Sequence, residues 1–85
     1  MNNRRGRLCD LPLGQVATVE QVDDRKPADP ISARLRDLGF VRGEPVRVVA
    51  AGPFGGDPLL IQVGFTRFAL RHAEASRVLV GSTDK

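Results

Sequence analysis

LRDLGFVRGEPVRVV (35–49) joins a helix-like run to a strand-like run through two glycines, Gly39 and Gly43. Glycines at such a junction either present backbone N–H groups to a phosphate or let the chain turn. Upstream, Asp29 is placed to cap free backbone N–H groups, and Pro30 occupies the first helical position, where its missing donor costs nothing. Ile31, Leu35 and Leu38 recur at spacings of four and three, so the pattern predicts a short amphipathic helix over 30–38. Gly39 then stands where helices end in a left-handed residue, with Phe40 as the apolar partner that packs back on Leu35. Downstream, PVRVVAA (45–51) alternates, Val46, Val48 and Ala50 facing one side and Arg47 and Val49 the other. The glycines therefore punctuate a helix-to-strand joint.

Outward from that joint the chain is strand and turn. LPLG (11–14) is a turn signal with Pro second and Gly fourth. QVATVEQV (15–22) is rich in β-branched residues, but its apolar positions 16, 17, 19 and 22 do not alternate, as in a strand that bends and changes its buried face. DDRKPADP (23–30) is polar and proline-bearing, a surface loop. GPFGGDP (52–58) is a glycine-rich connection to a strand at 59–63, and GFT (64–66) a tight turn into 67–70. HAEAS (72–76) makes one helical turn and RVLV (77–80) a last strand. Five short strands, tight links and one inserted helix predict a mainly β domain over 8–80: a small, SH3-like, five-stranded partial barrel. Residues 1–7 read as a disordered basic tail and 81–85 as a loose C-terminal tail.

Composition narrows the function classes. The chain has 85 residues, enough for one small core, and aromatics make up only 5%, so Val, Leu and Ile must build it. No apolar run approaches the ~20 residues of a membrane-spanning helix, and the N-terminus lacks the apolar segment of a secretory signal. A single cysteine excludes an intrachain disulfide and fits a reducing, cytoplasmic setting. Of thirteen basic residues, Arg4, Arg5 and Arg7 fall in the first seven positions; the ten that remain balance ten acids. A neutral body speaks against a phosphate-tracking, nucleic-acid-binding surface.

Chemistry-bearing sets are thin. GPFGGDP lacks the Lys and the following helix of a phosphate loop, and Asp57 would repel phosphate. With one His, one Cys and no Tyr or Trp, no catalytic constellation is legible, and no cofactor site. Cys9, His72 and Glu74 are candidate metal ligands, too few for a closed zinc site unless a second chain or solvent anions complete it. Phe54, at the tip of Gly52–Asp57 between Pro and Gly, is the kind of loop aromatic that anchors a protein contact.

Four motifs resemble the FeoA family, the small component of bacterial ferrous iron transport: LCDLPLGQVATV (8–19), RLRDLGFVRGEPVRV (34–48), GDP (56–58) and ALRHAEA (69–75). Where members carry a glycine after the third strand, this chain has Phe65, with Gly64 before it, which makes Phe65 an additional exposed aromatic. The resemblance implies an SH3-like, non-enzymatic accessory protein acting on the cytosolic side of FeoB, an Fe(II) transporter with a G-protein domain. It implies a role in that transporter's assembly or GTPase cycle, with no required cofactor and room for a homodimer. The contacts expected on that footing are Gly52, Phe54, Gly55, Asp57 and Phe65, with Arg67 and Arg71 as polar neighbours. A similar SH3-like domain closes the DtxR-type metal-dependent repressors. The alternative is therefore a metal-responsive module in which Cys9, His72 and Glu74 bind a regulatory Fe or Zn ion.

Overall fold

A computed structural model describes residues 5–82. The strands are β1 (Arg5–Arg7), β2 (Val16–Val22), β3 (Pro45–Gly52), β4 (Gly56–Val63), β5 (Thr66–Leu70) and β6 (Val78–Ser82). The helices are α1 (Pro30–Leu38) and the single turn α2 (His72–Ala75), and a 3-10 turn covers Leu8–Asp10. The strands form one antiparallel sheet in the order β1-β6-β2-β3-β4-β5. That is the expected mainly β architecture with one strand more. β1 and β5 remain edges, so the barrel is open between them.

The opening stretch folds as its residues dictate. Asp29 Oδ1 accepts the Ile31 N–H at 3.0 Å, and Gly39 ends α1 in the left-handed region at φ 113°. Phe40 N–H donates to the Leu35 carbonyl at 3.1 Å, and both side chains are buried. Gly43, at φ 94°, donates its N–H to the Val19 carbonyl at 2.9 Å, and Val19 returns its own to Glu44. The Gly39 and Phe40 N–H groups are thus spent on the end of α1 and that of Gly43 on β2, so neither glycine presents its donor to a phosphate.

Alternation fails where the sheet must curve. In β2, Ala17, Val19 and Val22 are buried, with a register shift between Val19 and Gln21 that carries the strand from one facing to the other. In β3, Val46 and Val48 are buried as expected, but a shift between Val48 and Ala50 leaves Ala50 exposed. The core gathers these side chains with Leu8, Leu35, Phe40, Leu59, Ile61, Val63, Leu70, Val78 and Val80. Phe68 packs on Phe40 with ring centroids 6.3 Å apart and planes at 50°. Burial of each large apolar side chain contributes about 1.5–3 kcal/mol, which is what holds the two-and-a-half-turn α1 in place.

Two boundaries differ from the sequence reading. Residues 5–7 are not part of a loose tail: they pair with β6 as Arg5↔Gly81 and Arg7↔Leu79, and Gly81 and Ser82 complete β6. The remaining tail positions, 1–4 and 83–85, lie outside the described residues. β4 begins at Gly56, not 59, so the 52–58 connection shrinks to a three-residue tip, Pro53–Phe54–Gly55. The loop at 23–30 is exposed except at Asp23, which is half-buried, and at Asp29. Asp29 is buried, and its Oδ2 accepts from Arg77 Nε at 2.9 Å and from the Arg25 N–H at 2.8 Å. The Arg25 N–H first, then the Arg77 guanidinium, hold the Asp29 carboxyl well below the usual carboxylate range. Arg77 Nη1 also donates to the Ala73 carbonyl at 2.8 Å, which ties this pair to α2.

Candidate functional site

β3 and β4 converge on the hairpin tip, and the geometry there is tight. A Cβ on Gly52 would lie 2.7 Å from the Asp57 carbonyl oxygen and 2.8 Å from that of Pro58. Asp57 N–H donates to the Phe54 carbonyl at 3.1 Å, which closes the tip and projects Phe54 outward, 80% exposed. No core side chain reaches it, as its position between Pro53 and Gly55 suggests.

The base of the hairpin is braced from α2. Asp57 Oδ1 accepts the His72 N–H at 2.9 Å, and Asp57 Oδ2 lies 4.0 Å from Arg71 Nη1. The His72 ring sits beside the same turn, its Nε2 3.8 Å from where a Gly56 Cβ would stand. Glu74 bends back to accept the Arg71 N–H at 2.9 Å, which caps the helical turn. One end of the molecule thus presents an aromatic, an imidazole and a guanidinium whose side chain is 76% exposed, on backbone that hydrogen bonds hold at Phe54, Arg71 and His72. The sequence places Asp57 and His72 in separate motifs fifteen positions apart, and no local pattern links them.

The expected contacts divide. Gly52, Phe54, Gly55, Asp57 and Arg71 come together here. Phe65 and Arg67 do not, because they lie at the far end of β4 and β5, where Val63 pairs with Thr66. An eight-residue strand at ~3.3 Å per residue separates the two ends by roughly 23 Å. Phe65 is fully exposed at that turn, as expected.

The candidate metal set does not assemble within the chain. Cys9 is half-buried on the 3-10 turn, its Sγ 3.8 Å from Asp10 Oδ1, while Glu74 is engaged at its own helix start and His72 faces the hairpin. Among the described residues, no three Cys, His, Asp or Glu side chains are grouped to hold a metal ion. Burial, then the Asp10 carboxylate, push the Cys9 thiol up, away from the thiolate that a metal or an electrophile would require.

No helix among the described residues is long and apolar enough to cross a membrane. The model of the FeoA domain family matches residues 6–81. A crystal structure of Stenotrophomonas maltophilia FeoA complexed with zinc, a prokaryotic SH3 domain protein, is 62% identical over 87% of this chain and 87% of that one, with a TM-score of 0.81. The solution structure of a Chlorobium tepidum FeoA protein is 32% identical, covers 92% of this chain and 70% of its own, and gives a TM-score of 0.77. A manganese-dependent transcriptional repressor shares the fold alone: it is 20% identical, with a TM-score of 0.79 over 96% of this chain and 44% of that one. Comparison with curated proteins finds no match. A family match spanning both edges of the sheet, together with the 62% identity, leads to one conclusion: this chain belongs to the FeoA family, SH3-like proteins of ferrous iron transport.

Proposed function

We propose that this chain is a non-enzymatic accessory protein that docks on the cytosolic G-protein part of the FeoB transporter through the Phe54 end. The observation that carries the reading is the braced tip. An aromatic 80% exposed on a hairpin of fixed shape is preorganised for a protein pocket and contributes nothing to the core. The Stenotrophomonas relative is itself described as a candidate activating factor of bacterial ferrous iron transport. Arg71 stands beside Phe54's hairpin with its nearest acid 4.0 Å away, close enough to orient it and too far to neutralise it. In the docked complex this guanidinium is the group available to stabilise charge on a bound nucleotide.

The test is a binding titration of the cytosolic part of FeoB, in its GDP and GTP-analogue states, with the parent chain and with Phe54→Ser. Loss of a central aromatic anchor weakens binding by about 2 kcal/mol or more, roughly thirtyfold. Equal affinity of parent and variant in both states overturns the assignment. Arg71→Ala separates docking from activation: it leaves binding within a few-fold of the parent and removes any stimulation of GTP turnover.

A further inference from the structure

A second surface lies on the outer face of the sheet, at the end away from Phe54. Register pairs align Val16 with Arg47, Arg47 with Gln62 and Gln62 with Arg67, one continuous row across β2, β3, β4 and β5. All four side chains stand on the face opposite the core, since their strand neighbours Ala17, Val46, Val48, Ile61 and Val63 are buried. Gln62 sits between the two arginines, its Oε1 accepting from Arg47 Nη2 at 3.4 Å, a long contact that leaves the guanidinium largely free. Neither Arg47 nor Arg67 takes part in an ion pair among the described residues, whereas Arg7, Arg36, Arg71 and Arg77 do. Beside the row is a shallow, mostly apolar cavity of about 160 Å³ lined by Val16, Pro45, Val46, Arg47, Gln62 and Gly64, the last of these next in sequence to the fully exposed Phe65.

We propose that this face docks an acidic segment of a partner protein. Its carboxylates would reach Arg47 and Arg67, two strand spacings or roughly 10 Å apart, while an apolar side chain seats in the cavity against Val16 and Pro45. The charge pattern selects the occupant. Two unpaired guanidinium groups favour bidentate carboxylates, and the apolar floor favours a side chain over a sugar–phosphate backbone, which needs several clustered cations. Glu44, its Oε1 3.6 Å from the Cβ position at Gly64, marks the rim and repels a further acid there, which fixes the direction of the segment. The surface is distinct from the Phe54 end, so both can be occupied at once.

The probe is a short fluorescein-labelled peptide of alternating Glu and Val, compared with its Gln-for-Glu counterpart and with a thymidine oligonucleotide, by anisotropy at low and high salt. The Glu peptide binds saturably and more weakly as salt rises, and the Gln peptide binds about tenfold more weakly or worse. The Arg47→Gln/Arg67→Gln double variant loses about tenfold in affinity for the Glu peptide at an unchanged thermal midpoint. Phe54→Ser retains the parent value, which keeps this surface separable from FeoB docking. Equal binding of the two peptides, no saturable binding of the Glu peptide, an unaffected double variant, or tighter binding of the oligonucleotide would each overturn the proposal.

Discussion

Replacing Gly52 by alanine tests whether the Phe54 tip is held by close backbone approach. The added Cβ would stand 2.7 Å from the Asp57 carbonyl oxygen and 2.8 Å from the Asp57 carbonyl carbon and the Pro58 oxygen, inside the 3.0 Å that real Cβ atoms essentially never cross. Every obstructing atom is backbone, so no side chain can swing aside, and β3 and β4 must part at the hairpin base. Such overpacking costs about 1–3 kcal/mol, offset by about 0.4–1 kcal/mol from the lower entropy of the unfolded alanine chain. The mid-range difference, a net loss of about 1.3 kcal/mol, lowers the thermal midpoint by roughly 5–10 °C in a domain of this size. Gly6→Ala is the control: it lies on an edge strand with nothing within 4 Å of its Cβ position, and its midpoint stays level or rises. Calorimetry of the two variants beside the parent is the assay. A Gly52→Ala midpoint equal to or above the parent's would refute the claim that close packing fixes the tip.

Phe40→Ala removes a buried ring from between α1 and β5 and costs about 3–5 kcal/mol in urea unfolding; a loss below about 1 kcal/mol would mean that the pocket collapses around it. Phe65→Ser, by contrast, changes stability by no more than about 0.5 kcal/mol, because its ring is already in water. Asp29 has a depressed folded pKa, so its stabilisation is complete above its unfolded value near 4 and drains away as pH falls toward the folded one. Urea midpoints at neutral, mildly acid and strongly acid pH should show this loss, and Arg77→Met should flatten the acid limb; an unchanged limb would exclude the pair as its source. Calorimetric titration of the single chain with Zn(II) at low-micromolar protein should give no saturable heat that His72→Ala abolishes, because Cys9, His72 and Glu74 do not share a site.

What the sequence discloses here is local chemistry. The limits of α1 are legible because Asp29, Pro30 and Gly39 act on backbone groups one to three residues away. Exposure of Phe54 and Phe65 is legible because each sits in a tight turn beside glycine. β1 is hidden because Arg5–Arg7 has no apolar alternation; it is a strand only because β6, more than seventy residues on, offers it an edge. The Asp29–Arg77 pair and the His72–Asp57 brace join loops that only the sheet brings together. The same reason splits the expected contact set: Phe54 and Phe65 are eleven positions apart in sequence, yet a hairpin strand sends them to opposite ends of the molecule.

The connectivity of β3, β4 and β5 also orders events in time. Their turns are a few residues long, whereas β2 must reach β3 across the whole 23–44 segment and β1 waits for β6 to form. Loop closure is cheapest for the local pairs, so the β3–β4–β5 meander is the natural nucleus, and β6 arrives last. Pulse-labelled hydrogen exchange during refolding should find amides of β4 protected before those of β6; simultaneous protection would refute that order. On this account the hairpins that bear Phe54, Phe65 and the Arg47–Arg67 row take shape first, and the seam that completes the sheet is sewn afterwards.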